Sequence, residues 1–152
     1  MKSTQSVLET KCIHVDTDLN ELSKVLEWFQ DLTQESVNAE DWMQCQIALA
    51  EGFTNAVRHA HHSLPAQTLV EIDLHFYPNH VEMRIWDCGP PFSLMEQIER
   101  YKASVTDESI SGRGLLLLQK IASELDYRRV DDTRNCLSLI KRRSPRSNSI
   151  PN

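Results

Sequence analysis

The stretch Gln44–His62, QCQIALAEGFTNAVRHAHH, contains the pattern on which the predicted fold of this chain depends. Apolar residues recur through it at spacings of three and four, which predicts a helix with a wide buried face, running from about 39 to 62. Glu51 and Asn55 are four residues apart and therefore share one side of that helix. This pair is either the solvated edge of an amphipathic helix or a polar stripe that faces a cavity, because a buried carboxylate without partners is costly.

Length and composition indicate one globular domain of ordinary size. The chain has 152 residues, of which 40% are hydrophobic and 25% charged. A net charge of −6 provides no basic field, so direct nucleic-acid binding is not expected. The longest apolar run, Leu115–Leu118, is too short to cross a membrane, and no signal-peptide core is present at the N-terminus. The widely spaced cysteines match no zinc or disulfide framework, so we expect a cytoplasmic protein with reduced thiols.

Hydrophobic periodicity predicts helices combined with two antiparallel hairpins, which suggests an α+β two-layer sandwich. The predicted elements are an edge strand at 11–15, helices at 18–34 and 39–62, strands at 70–76 and 81–87, a helix opening at 111–114, and strands at 125–131 and 135–141. The core face of the third helix is expected to consist of Leu115, Leu118, Ile121, Ala122 and Leu125. We expect a flexible N-terminus at 1–10, a single domain at 11–142, and a flexible basic tail at 143–152, either solvated or touching an acidic partner.

Asp87 has the same parity as Val81, Met83 and Ile85 in the second strand of the first hairpin. If the strand continues to Asp87, the carboxylate points to the core side; if the strand has ended, Asp87 caps a turn. Gly89-Pro90-Pro91 ends the alternation, and residues 92–111 show little periodicity apart from a short helical stretch at 94–101. A segment of this length without regular structure is typical of a lid or a binding loop.

Three motifs follow one another along the chain: Glu51-x-x-x-Asn55, then DCGPPF from Asp87, then SGRGL from Ser111. In this order they resemble the N, G1 and G2 boxes of the GHKL ATPase superfamily, which includes gyrase, MutL and histidine-kinase types. The segments AEGFTNAVRHAHH, DCGPPF and SGRGLLLLQKI are most similar to the corresponding segments of RsbW-type anti-sigma factor serine/threonine kinases. The resemblance covers residues 11–142. It implies the Bergerat ATP-binding fold, a two-layer α/β sandwich with a mixed, mostly antiparallel sheet and helices on one face.

The resemblance also implies a site for ATP and Mg²⁺. In it Glu51 is the general base, Asn55 is a magnesium ligand, and Asp87 accepts a hydrogen bond from the adenine amino group. Gly89 leaves room for the adenine ring.

The phosphate end of the predicted site falls at the start of the third helix. Gly112 and Gly114 allow the helix backbone to approach phosphates. Arg58 and His59 follow Asn55 by three and four positions and are expected to face the phosphates, while Arg113 reaches phosphate, a partner or water. For His59, His61 and His62 a surface or phosphate-facing position is favoured over a metal site, because no zinc spacing is present.

By this resemblance the chain is a Mg-ATP-dependent anti-sigma regulatory factor with protein serine/threonine kinase activity. It would bind a sigma factor and phosphorylate a STAS-domain anti-anti-sigma protein, which regulates transcription by partner switching; family members often form homodimers. The alternative is an ATP-binding module that sequesters a partner with little or no phosphotransfer, although Glu51 favours the kinase. A weaker third interpretation is a phosphatase accessory or a histidine-kinase catalytic fragment. No membrane partner is expected.

Overall fold

A computed structural model describes residues 6–32, 37–91, 93, 95–96, 98–99 and 110–144, with the backbone alone at 110–113. Most of the predicted lid at 92–111 and the tail beyond Ser144 therefore lie outside the described residues. Five strands form one sheet with the spatial order β1-β2-β3-β5-β4. Their bounds are β1 Glu9–Asp16, β2 Leu69–Phe76, β3 His80–Asp87, β4 Glu124–Arg129 and β5 Asn135–Arg142.

All four strand pairings are antiparallel, so both predicted hairpins are confirmed and the described sheet is not mixed. Strand β1 lies at one edge, as predicted, but it begins at Glu9 rather than Lys11. The reason is the length of β2, which offers Phe76 and His75 as partners for Glu9 and Thr10. These two residues therefore belong to the sheet and not to a flexible N-terminus.

Three α-helices cover one face of the sheet: α1 Leu22–Gln30, α2 Ala39–Asn55 and α3 Ile110–Ile121. N-capping side chains mark the starts of two helical segments, as the sequence predicts. The Asp18 side chain accepts from the Asn20 N–H, and the Asn38 side chain accepts from the Asp41 N–H. Burial alternates strictly along β2 and β3; in β2 the buried residues are Val70, Ile72, Leu74 and Phe76. The described helices are all too short or too polar to span a lipid bilayer.

Helix α2 lies close to strand β3 because of Gly52. A Cβ atom added to Gly52 would overlap Cδ1 of Ile85, so only glycine allows this approach without a shift of that side chain. At the other end of the helix the Trp42 ring stacks between Phe29 and Phe76, with centroid distances of 4.2 and 6.2 Å. These contacts fix the position of α2 against the sheet along its whole length.

The segment after Asn55 differs from the continuous helix predicted to residue 62. Ala56–Ala60 form a π-helical turn, in which the His61 N–H donates to the Ala56 carbonyl over 2.8 Å. Such turns contain one more residue than an α-helical turn and often occur at functional sites. As a result His61 is buried, whereas Arg58, His59 and His62 are exposed.

Two further boundaries differ from the prediction. Helix α3 ends at Ile121, so Leu125 belongs to β4, although it still packs on the core. The first two residues of the predicted flexible tail are held in place. The Arg143 N–H donates to the Asn79 carbonyl (2.8 Å), and the Ser144 N–H and hydroxyl donate to the Asp41 carboxylate (2.7 and 2.8 Å).

Candidate functional site

The first and third motifs meet where α3 begins beside α2. A Cβ atom added to Gly114 would occupy the place of Oε2 of Glu51, so the glycine makes room for this carboxylate. Residues 110–113 form the first turn of α3, and the first four N–H groups of a helix have no partner within it. The Glu51 carboxylate thus lies close to a helix start whose backbone donors suit an anion.

The second motif meets α2 at the opposite end of the same segment. Gly89 is buried, and a Cβ atom there would collide with the backbone carbonyl of Ala60. Because backbone cannot move aside as a side-chain tip can, only glycine fits this contact. All three motifs therefore converge on residues 51–60 of one helical segment, which extends over roughly 13 Å at the rise of an α-helix.

Asp87 is the last residue of β3 and is only 2% exposed. Its Oδ1 accepts from the Gly89 N–H (2.9 Å) and from Nδ2 of Asn135 (2.8 Å), and its Oδ2 accepts from the Tyr127 hydroxyl (2.6 Å). Asp87 thus points to the core side and also holds the turn that follows it, so both predicted alternatives apply. Each of these three neighbours donates, so the carboxylate oxygens act as acceptors.

An ionised carboxylate has about four acceptor positions, and these described neighbours fill three of them. Oδ2 receives one bond while Oδ1 receives two. The described neighbours therefore leave one acceptor position of Oδ2 unfilled. These three hydrogen bonds offset the free-energy cost of burying the carboxylate, whether or not a ligand is present.

Asn135, Tyr127 and Arg129 were not among the predicted site residues. Nδ2 of Asn135 and Nη1 of Arg129 both donate to the Gly89 carbonyl over 2.9 Å. The strand register explains their position, because Asp87 pairs with Asn135, and Asn135 pairs with Arg129. The sequence contains one signal for Asn135. It is a polar residue that precedes Leu137 and Leu139 at a spacing of two, so it lies on the same buried face of β5.

His61 joins the end of the α2 segment to the loop after Asp87. Its Nε2 accepts from the Cys88 N–H (2.8 Å), so the proton of the neutral ring is on Nδ1 and is donated to Oγ1 of Thr17 (2.6 Å). Burial lowers the pKa of His61, and the charge of Asp87 opposes this effect. The surface or phosphate-facing position predicted for this histidine is wrong, because the π turn rotates it inward.

The remaining predicted residues lie along the same segment. Asn55, at 8% exposure, ends α2 one turn after Glu51, and the exposed Arg58 and His59 follow on the π turn. Partial burial lowers the pKa of His59, and the charges of Arg58 and His62 add to this effect. Gly112 lies in the first turn of α3, whereas the side chain of Arg113 is outside the described part of the chain.

Comparison with known proteins gives one family and one fold. The family model described as a histidine kinase-like ATPase domain matches residues 15–141. A crystal structure of the RsbU and RsbW domains of Rv1364c from Mycobacterium tuberculosis is similar, with a TM-score of 0.63 and 15% sequence identity. The similarity covers 89% of this chain but only 32% of that one, so this chain spans about a third of its length. No curated protein matches the sequence.

The α+β sandwich and the sheet are those expected of this ATPase fold, and the family match extends over most of the chain. The chain belongs to the family of histidine kinase-like ATPase domains, the GHKL type.

Proposed function

We propose that this chain is a Mg-ATP-dependent anti-sigma regulatory factor that phosphorylates a STAS-domain antagonist on serine or threonine. The observation that carries the proposal is the convergence of the three motifs on residues 51–60, with Asp87 near one end and Glu51 with Gly114 at the other. Family membership supports nucleotide binding. The kinase activity and both protein partners come from the similarity of the motifs to RsbW-type kinases.

The end of the site at Asp87 suits adenine. The described neighbours leave one acceptor position of Oδ2 unfilled, and the adenine amino group would donate to it. Gly89 allows the adjoining loop to pack against the backbone of Ala60 beside this carboxylate. Asn135 and Tyr127 orient the carboxylate. Because these bonds exist without a ligand, the base meets a preorganised acceptor, and less ordering is required on binding.

The end of the site at Glu51 suits phosphoryl transfer. Backbone N–H groups at the start of a helix such as α3 suit an anion, and Gly112 and Gly114 would allow a phosphate to approach closely. Asn55 offers an amide oxygen one helical turn from Glu51, and oxygen is the ligand type that Mg²⁺ prefers, so the residues present fit this ion. When bound, the ion neutralises charge on the phosphates.

The proposed reaction transfers the γ-phosphoryl group of ATP to a serine or threonine hydroxyl. The hydroxyl oxygen forms a bond to phosphorus, the bond from phosphorus to the leaving ADP oxygen breaks, and Glu51 accepts the hydroxyl proton. Positioning and charge neutralisation account for most of the catalysis of such reactions, so this small set of side chains is sufficient.

The experiment compares the wild type with Glu51→Gln and with Glu40→Gln, an exposed residue at the start of the same helix that serves as the matched control. ATP affinity is measured by calorimetry in the presence of Mg²⁺, and phosphate transfer by incubation with a STAS-domain protein from the same genome. We expect all three proteins to bind ATP and only Glu51→Gln to lose transfer. Transfer by Glu51→Gln at the wild-type rate would remove Glu51 from the mechanism.

ATP binding by the wild type without any transfer to a STAS-domain substrate would favour the sequestering module instead. Absence of ATP binding by a folded wild-type chain would contradict both forms of the proposal.

A further inference from the structure

The outer face of the sheet, away from the helices, carries a cluster of potential metal ligands on β1 and β2. Cys12 and His14 are two residues apart in β1 and therefore project on the same side. In the register of the hairpin, His14 pairs with Glu71 and Cys12 pairs with Asp73. One ligand atom from each of Cys12, His14 and Glu71 can be chosen so that all three lie within 4.8 Å of one another.

We propose that Cys12, His14 and Glu71 form a binding site for a divalent zinc-type cation. Oε1 of Glu71 lies 3.8 Å from Sγ of Cys12 and 3.1 Å from Nε2 of His14, and Nδ1 of His14 lies 4.0 Å from Sγ. Ligand atoms around a tetrahedral zinc ion are separated by roughly 3.3–3.6 Å, as follows from the usual bond lengths. A single nitrogen of His14 would bind the ion, and with one ligand atom from each residue the three atoms lie within 4.8 Å of one another. Rotations of these side chains that move the ligand atoms by up to about 1 Å would therefore produce the geometry, and one coordination position is left for water.

The set of donors indicates the class of metal. Thiolate, imidazole and carboxylate together suit zinc, whereas Mg²⁺ and Ca²⁺ prefer oxygen ligands alone.

Two neighbours define the surroundings of the cluster. The carboxylate of Asp73 accepts from Nε1 of Trp86 (3.0 Å) and adds negative charge near Cys12. Arg134 lies 4.0 Å from Oε2 of Glu71, which leaves Oε1 directed toward Cys12 and His14. The ligands are positioned by strand pairing rather than by loops, and rigid elements hold a metal site more accurately.

This site is independent of the proposed ATP site, because the two lie on opposite faces of the sheet. The spacing of the cysteines does not indicate this metal site. The ligands come from two strands and are separated by 57 residues between His14 and Glu71, so no local motif records them.

Co²⁺ is the probe for the test, because a Co²⁺–thiolate bond produces a near-ultraviolet charge-transfer band and tetrahedral coordination produces visible bands. The full chain is titrated with Co²⁺ under a phosphine reductant and then with Zn²⁺, which should displace Co²⁺. We expect one Co²⁺ per chain with a thiolate band, and a rise in the melting temperature on addition of Zn²⁺.

The variants Cys12→Ser and His14→Gln test the assignment of ligands. We expect Cys12→Ser to lose the charge-transfer band and both variants to bind Zn²⁺ roughly tenfold or more weakly, since even outer-shell losses at metal sites cost 10–100-fold. The matched controls are Cys88→Ser and His62→Gln, which change exposed residues outside the cluster and should leave the band intact. The proposal would be overturned by a wild-type chain that is saturated with Co²⁺ but shows no charge-transfer band. A charge-transfer band that persists in Cys12→Ser would overturn it as well.

Discussion

Replacing Asp87 by Asn changes one acceptor into a donor at the buried end of β3 while keeping the shape of the side chain. The remaining oxygen can still accept from the Gly89 N–H and from Asn135, the two partners of Oδ1. The new NH₂ group faces the Tyr127 hydroxyl, whose oxygen can accept instead of donating. The variant therefore keeps its hydrogen bonds and is expected to fold.

The loss falls on the ligand. The acceptor position at Oδ2 that the adenine amino group would use becomes an N–H group, so two donors face each other. A mispaired buried polar group costs about 1–3 kcal/mol. At about 1.4 kcal/mol for each tenfold change, ATP affinity should fall roughly 5- to 150-fold.

The assay is calorimetric titration of wild type and Asp87→Asn with ATP and with ITP, whose base carries a carbonyl in place of the amino group. A carbonyl accepts from the new NH₂ group, so we expect the ratio of ITP to ATP affinity to rise in the variant. Unchanged ATP affinity in a folded variant would refute the assignment of adenine to Asp87. An equal fall for both nucleotides would show that the residue supports the site without recognising the base.

Two further substitutions test the phosphate end and the buried histidine. In Gly114→Ala the new methyl group takes the place of Oε2 of Glu51, which is the end of a flexible side chain, so the free energy of unfolding should change by less than about 1 kcal/mol. Phosphotransfer to the STAS-domain substrate should nevertheless fall on the order of 10²-fold, because the carboxylate is displaced. For His61, burial lowers the folded-state pKa, so the unfolded chain binds a proton first as the pH falls below the ordinary value of 6.5. The wild type should therefore be most stable above that pH and lose stability below it, and His61→Gln should lose stability less steeply between pH 7 and 5, as measured by denaturant titration.

Different results would contradict these two predictions. A loss of more than about 2 kcal/mol of stability in Gly114→Ala would show that Glu51 cannot move aside. Parallel pH dependence of stability in the wild type and His61→Gln would show that the histidine does not titrate differently on folding. An unchanged transfer rate in Gly114→Ala would separate the position of Glu51 from the reaction.

Much of the fold follows from periodicity in the sequence. The alternation of Val70, Ile72 and Leu74 with polar residues predicts β2 and its buried face, and the same parity places Asp87 on the core side of β3. The capping residue Asn38 marks the start of α2 correctly. These features are local, so a single sequence contains them.

The features that were not predicted depend on contacts between distant elements or on a change of helical geometry. A regular helix to residue 62 does not predict the burial of His61, because the π turn shifts every side chain after Asn55. Tyr127 and Asn135 reach Asp87 only through the register of the second hairpin, whose alternation is less regular. The cluster at Cys12 likewise requires the pairing of β1 with β2.

The two ends of the candidate site are attached to α2 in different ways, and this has a mechanical consequence. Near Asp87, hydrogen bonds from Gly89, Asn135 and Tyr127 to the Asp87 carboxylate, and from the Cys88 N–H to His61, fix the loop. At the start of α3, Gly114 instead lies against the tip of a flexible side chain, Oε2 of Glu51. ATP and ADP share the same base, so the fixed end would hold both nucleotides alike, and a preference between them would arise at the other end of the segment.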